Sequence, residues 1–148
     1  MSTTLPIKRL MPADFAAFKQ LWRRSVEATH HFLSSAQVDE IEEFLTPNIL
    51  EDMEVMGLYS NANELIAFVC VSNRKLEMLF VDPAHFRKGI GRSLLSWAET
   101  ERQANRLDVN EQNPEAVMFY SSMGYKVKAR SENDLQGRPF PLLHMEKL

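Results

Sequence analysis

The chain has one cysteine, Cys70, in 148 residues, so no disulfide can close within it. Only four histidines stand beside it, which leaves little material for a structural zinc site. Glycine is also scarce, at five residues, and no G-x-x-x-x-G-K-[ST] occurs, so an ATP-type phosphate loop is excluded. No apolar run approaches the roughly 20 residues that a bilayer-crossing helix needs. Positive charge is not in excess: 17 Lys+Arg face 20 Asp+Glu, a formal charge of −3. A general nucleic-acid binder would lack the cations to neutralise phosphates. There is no repeat, low-complexity tract or Gly/Ser linker to divide the chain. The opening Met1-Ser2-Thr3-Thr4-Leu5-Pro6 has no apolar stretch of the signal-peptide kind. What is present, 45% apolar and 25% charged residues, fits one domain over 1–148, expected to be soluble and cytoplasmic.

Local patterns give a mixed α/β order. Ile7 to Leu10 reads as a first strand. Pro12-Ala13-Asp14 resembles a helix start, with Asp14 able to cap free amides and Phe15, Phe18, Leu21 and Trp22 recurring at helical spacing. A second helix is expected from about Ser35, with Val38, Ile41, Phe44 and Leu45 on one side and Pro47 as its interruption. Val55–Ser60, Leu65–Val71 and Lys75–Val81 read as three strands joined by the turns Asn61-Ala62-Asn63-Glu64 and Ser72-Asn73-Arg74. A helix from Gly91 to about Gln103 turns Leu94, Leu95 and Ala98 inward. Arg106–Asn110 is a short strand, Pro114 opens a helix that Gly124 ends, and Tyr125–Arg130 and Leu142–Met145 are the last strands. A central sheet of about seven strands flanked by about four helices buries this set economically.

The chemistry concentrates in Phe80-Val81-Asp82-Pro83-Ala84-His85-Phe86-Arg87-Lys88-Gly89-Ile90-Gly91-Arg92. An apolar strand runs into a turn with two glycines and then directly into a helix. Such a turn presents backbone N–H groups at the positive end of a helix and lets a ligand approach the main chain. Arg87, Lys88 and Arg92 add charge suited to a pyrophosphate. A tight strand–helix connection with no ligand, and an unrelated nucleotide-phosphate enzyme, are the other readings of the same residues.

Phe86-Arg87-Lys88-Gly89-Ile90-Gly91 resembles the [Q/R]-x-x-G-x-[G/A] motif of the GCN5-related N-acetyltransferase (GNAT) superfamily, with Phe86 standing where Gln or Arg is usual. Asn113-Pro114-Glu115-Ala116-Val117-Met118-Phe119-Tyr120, followed by Met123-Gly124-Tyr125, is similar to the superfamily's N-x-x-A-x-x-[FL]-Y-x-x-x-G-[FY] segment. The run from Trp22 to Leu33 resembles a subgroup of small bacterial members.

The resemblance implies a mostly antiparallel sheet splayed between its fourth and fifth strands, and acetyl transfer from acetyl-CoA to a primary amine, directly, in a ternary complex. Leu79, Phe80 and Val81 would face the pantetheine arm, with an N–H near Phe80 polarising the thioester carbonyl. Arg87, Lys88, Gly89, Ile90, Gly91 and Arg92 would hold the pyrophosphate, and Asn113 would contact the arm from the other side. Tyr120 matches the superfamily tyrosine that protonates the departing thiolate, a task suited to a phenol with a reference pKa of about 10. Glu77, Asp108 and Glu111 are candidate bases, and His30 a candidate acceptor-pocket residue. No metal is expected. The acceptor is left open among small amines, peptide N-termini and protein lysines, a homodimer would follow superfamily habit, and neither nucleic acid nor membrane is expected as a partner. A domain of this fold that only binds or senses acyl-CoA, without using Tyr120, is the alternative. Cys70, inside Ile66–Val71, reads as core.

Overall fold

The computed structural model describes residues 6–147; the opening segment Met1 to Leu5, read above for a leader, lies outside them with Leu148. The order is β1 (Ile7–Arg9), a 3-10 turn (Pro12–Asp14), α1 (Phe15–Thr29), α2 (Ser35–Glu42), α3 (Ile49–Asp52), β2 (Val55–Tyr59), β3 (Leu65–Ser72) and β4 (Lys75–Val81). A second 3-10 turn (Pro83–His85) leads to α4 (Ile90–Arg102), then β5 (Arg106–Asn110), α5 (Pro114–Ser122), β6 (Lys126–Ser131) and β7 (Leu142–Glu146). The strands form one sheet in the order β1-β2-β3-β4-β5-β7-β6. Every pair is antiparallel except β4 with β5.

Both faces of the sheet are covered, which explains the unbroken apolar run in β3: Leu65 to Cys70 are all buried. On one face, Phe18, Leu21, Trp22 and Val26 of α1 and Val38 of α2 pack on Val55, Leu65, Phe68 and Cys70. Phe68 stacks between Phe18 at 4.6 Å and Phe80 at 5.4 Å between ring centroids. On the other face, Leu94, Leu95 and Ala98 of α4 meet Val69, Leu76, Leu107, Val109 and Met145. Each fully buried Leu or Phe contributes about 1.5–3 kcal/mol, so these two layers hold the sheet open or closed as their shapes dictate.

Local signals account for most boundaries. Asn73 and Arg74 take φ of 51° and 66°, the left-handed pair of a two-residue hairpin, and close β3 onto β4. Ser34 begins α2 with a reciprocal capping box: its Oγ accepts from Gln37 N–H at 3.1 Å and Gln37 Oε1 accepts from Ser34 N–H at 2.8 Å. Several expectations need correction. Asp14 does not cap α1; its carboxylate accepts from Met11 N–H at 2.8 Å and closes the preceding 3-10 turn. The second helix stops at Glu42, so Phe44 leaves the apolar side and is 59% exposed. The chain after Pro47 makes a fifth helix, the single turn α3.

Gly57 in β2 is dictated by packing: a Cβ there would sit 2.6 Å from Leu10 Cδ2 and 2.8 Å from Leu65 Cδ1. Both leucines are buried. Gly57→Ala is expected to cost about 1–3 kcal/mol through overpacking, read as a lower urea midpoint at unchanged slope. An unchanged midpoint would show that the leucines yield freely.

Candidate active site

β4 and β5 pair at only two positions, Lys75 with Arg106 and Leu76 with Leu107. Beyond them the strands separate, and a cavity of about 240 Å³ opens between Leu76–Phe80 on one side and Leu107–Asn110 on the other. A bulge marks the start of the divergence. Cys70 pairs with Met78 and Val71 with Leu76, so Glu77 is the extra residue of β4. A bulge bends its strand and re-aims the side chains beyond it. Here it lets Leu76, Leu79 and Val81 pack toward α4 while Met78 and Phe80 pack toward α1. At the fork, Lys75 Nζ donates to Asp108 Oδ2 at 2.7 Å and ties the two strands together.

At the far end of β4 the chain enters the glycine turn. Asp82 closes the strand: its Oδ1 accepts from Ala84 N–H at 3.0 Å, and its Oδ2 accepts from Arg24 Nη2 at 2.7 Å, anchoring α1 to the turn. Burial opposes the Asp82 charge, but these bonds outweigh it and hold its pKa below the ordinary value. Arg87 and Gly89 both take left-handed backbone, at φ 63° and 77°. For arginine this conformation is strained by about 1–3 kcal/mol, a cost that clusters at ligand clamps. Gly89 is the N-cap of α4, which therefore begins at Ile90, one residue earlier than expected. The consecutive backbone N–H groups from Arg87 to Arg92 have no intramolecular hydrogen-bond partner among the described residues. They form a concavity of bare amides at a helix entrance, a geometry suited to an anion.

This turn lines a second cavity of about 460 Å³, with Arg87, Gly89, Ile90, Gly91 and Arg92 at one end. Leu79, Phe80 and Val81 form a wall, and Asn113 and Tyr120 stand opposite. With His30, eleven of the site residues singled out from sequence thus surround one space. Lys88 does not line it; its ammonium lies 3.5 Å from His85 Nδ1. Asn113 is buried and N-caps α5, its Oδ1 accepting from Ala116 N–H at 3.4 Å. The Tyr120 ring is held by Phe119 at 5.1 Å and Tyr125 at 6.1 Å, and burial raises its pKa above the ordinary phenol value. Cys70 lies in the core, its thiol pushed up by burial to about 12, and is no nucleophile there.

His30 is the C-cap of α1 and lines both the large cavity and the gap between the strands. Its Nδ1 lies 2.7 Å from Thr29 Oγ1, whose single hydrogen goes to the Ser25 carbonyl at 2.8 Å. Burial first, and the neighbouring His31 second, lower its pKa to about 4. Glu77 and Asp108 stand apart from the large cavity. They line the gap and a third cavity of about 250 Å³. Burial would raise the Asp108 pKa, but bonds from Lys75 and His144 reverse the direction and hold it low. Glu111 accepts twice from Arg130, at 2.6 and 3.1 Å, outside all three cavities.

His144, Ser131 and Lys75 escaped the sequence reading. His144 Nδ1 donates to Asp108 Oδ1 at 2.6 Å and its Nε2 faces Ser131 Oγ at 2.6 Å, extending the Lys75–Asp108 pair across β5, β7 and β6. The available signal was a histidine inside the apolar Leu142–Met145 run, without a partner that sequence alone could supply.

A sheet that opens beside a helix entrance of free amides, with a half-buried phenol across the gap, suits an acyl-group transferase. A family model described as an acetyltransferase (GNAT) domain matches residues 20–148. The chain belongs to the GNAT acetyltransferase family and is an N-acetyltransferase. It is similar to peptidyl-lysine N-acetyltransferase YjaB of Salmonella typhimurium, 41% identical over 125 residues that span 84% of this chain and 86% of that protein. The solution structure of apo-form YjaB from Escherichia coli matches at TM-score 0.88 and 32% identity, over 99% of both chains. A PaiA N-acetyltransferase from Thermoplasma acidophilum, in complex with coenzyme A, shares the fold at TM-score 0.77 and 22% identity, over 99% of this chain and 100% of that one. Among the described residues, no three His, Cys, Asp or Glu side chains are grouped to hold a metal ion. No helix there is long and apolar enough to cross a membrane.

Because the folded His30 pKa lies below the unfolded value of about 6.5, the unfolded chain binds more protons between those values. His30 therefore contributes stability fully present above about pH 6.5 that declines as pH falls toward about 4. An NMR titration is expected to place the His30 midpoint near 4. A midpoint near 6.5 would mean the ring is hydrated and free.

Proposed function

We propose that the chain moves an acetyl group from acetyl-CoA to the side-chain amine of a lysine in a peptide or protein, by direct transfer with both substrates held together. The observation that carries this reading is the continuity of the site. The free amides of Arg87–Arg92 open into a cavity whose other end shares Leu79, Phe80, Asn113 and Tyr120 with the β4–β5 gap. Bound acetyl-CoA supplies a thioester whose carbonyl carbon is the electrophile. The turn amides, with Arg87 and Arg92, grip its pyrophosphate. The diverging edges of β4 and β5 offer main-chain groups to the pantetheine arm, with Asn113 beside them. A β4 N–H at or near Phe80 polarises the carbonyl in the manner of an oxyanion hole. Tyr120, kept protonated by its apolar surroundings, gives its hydroxyl proton to the departing sulfur.

The acceptor reading rests on the third cavity and on the relatives' names. That cavity joins the gap through Leu76, Glu77, Asp108, Asn110 and Leu142. Leu33, Ile41 and Phe140 give it an apolar flank suited to an alkyl stem. Its acids are unequal. Asp108 is taken by Lys75 and His144, and Asp134 binds Arg138 N–H at 2.8 Å and its guanidinium at 3.5 Å. Glu77 has no partner among the described residues and, on its bulge, is the carboxylate placed to draw an ammonium group inward. Two proteins named peptidyl-lysine N-acetyltransferase YjaB lie at 41% and 37% identity, which favours lysine over the other amines.

The test is release of free CoA from acetyl-CoA with a lysine-bearing peptide, beside the same peptide with its lysine acetylated beforehand. Release is expected with the first only. Tyr120→Phe is expected to reduce turnover about 100-fold or more while acetyl-CoA binding persists. Tight binding with no release on any amine would instead fit an acyl-CoA sensor.

A further inference from the structure

Two titratable side chains line both the large cavity and the β4–β5 gap: Tyr120 and His30. The reacting carbonyl must sit at that junction, because the pyrophosphate is held at one end and the acceptor arrives from the other. Glu77 and Asp108 reach only the gap and the acceptor cavity, and both Asp108 oxygens are already engaged. The ring of His30 is also fixed in one tautomer. Thr29 spends its only hydroxyl hydrogen on the Ser25 carbonyl, so it can only accept from His30, and Nδ1 must carry the ring proton. That leaves Nε2 with its lone pair.

We propose that His30 is the catalytic base of the transfer, its Nε2 taking the proton of the attacking amine, with Thr29 as the positioning residue that fixes the tautomer. The proposal rests on the transferase reading above. The amine nitrogen bonds to the acetyl carbon as the carbon–sulfur bond breaks. Nε2 of His30 removes one N–H proton, the electron pair of the broken bond stays on sulfur, and sulfur takes the Tyr120 proton. The products are the amide and the CoA thiol, and the imidazolium then returns its proton to the tyrosinate. Desolvation of the half-buried imidazole lowers its pKa to about 4 and favours its neutral form at pH 7. The imidazole is too weak to strip a free ammonium, whose pKa is about 10.4, so that first proton is lost to solvent, and Nε2 takes the second once carbon–nitrogen bonding has acidified the nitrogen.

The experiment combines long-range proton–nitrogen NMR of the imidazoles with turnover on a lysine peptide. In the wild-type chain the His30 signal, assigned with His30→Gln, is expected to show protonated Nδ1 and bare Nε2. Thr29→Val is expected to mix the tautomers and lower kcat several-fold. His30→Gln, and His30→Ala, are expected to lose about 100-fold in kcat, with acetyl-CoA binding within about 3-fold of wild type as the check of folding. Added imidazole is expected to restore part of the His30→Ala rate, which a purely structural loss would not allow. A bare Nδ1, or kcat within about 3-fold of wild type in His30→Gln, overturns the assignment and leaves the transferase reading intact. A wild-type chain that releases no CoA on any lysine peptide overturns both.

Discussion

The cleft depends on β4 and β5 sharing only two register pairs before they part. Inside a protein, main-chain N–H and C=O groups are almost always paired, and leaving one buried without a partner costs about 1–3 kcal/mol. A sheet that opens in its middle therefore needs something to prevent it from zipping shut. Here the cause lies on both faces. Glu77 bulges out of β4 and re-phases it, so Leu79 and Val81 commit to the α4 layer while Met78 and Phe80 commit to the α1 layer. Sliding β4 back onto β5 would pull both sets out of their packing. The Lys75–Asp108 pair, braced from behind by His144 and Ser131, sits at the fork and marks where pairing ends.

Burial tunes the groups around this gap in a consistent way. The same loss of solvent that keeps the Tyr120 phenol protonated keeps the His30 imidazole neutral, because in each case the charged form is the one disfavoured. One apolar environment thereby favours the uncharged forms of both the proposed acid and the proposed base at neutral pH. The charges, by contrast, are kept at the margins. Arg87 and Arg92 lie at the glycine-turn end, Asp82 is absorbed by Arg24, and Asp108 is absorbed by Lys75. The mirrored ends of the cleft, one basic and one bearing Glu77, which has no partner among the described residues, suit an anionic donor and a cationic acceptor entering from opposite sides.

Much of this was legible in the sequence because it depends on residues close together in the chain. Gly89 and Gly91 after an apolar strand, and Asn113 to Tyr120 before Gly124, carry their geometry locally, and a mostly antiparallel sheet splayed between its fourth and fifth strands followed from them by resemblance. The rest depends on contacts across the sheet. No periodicity indicates that Glu77 is an extra residue in a bulge, since the slip exists only relative to β3. Asp108 could be named, but its partners lie 33 residues before it and 36 after it. His30 could be named as an acceptor-pocket candidate, yet its tautomer rests on Thr29 and Ser25, one turn of α1 away. Phe44 shows the reverse error: its spacing fitted a helix face, but the helix had already ended.

The central claim is that bared amides at the entrance of α4 and the open edge of β4 receive one extended thioester carrier. It is tested most directly by following backbone amide resonances while coenzyme A is added to the wild-type chain. The largest shifts are expected in one contiguous set, from Leu79–Val81 through Arg87–Arg92, with Asn113 following at the same ligand concentration. Saturable shifts confined to residues outside that set, with the Gly89 and Gly91 amides unmoved, would contradict it.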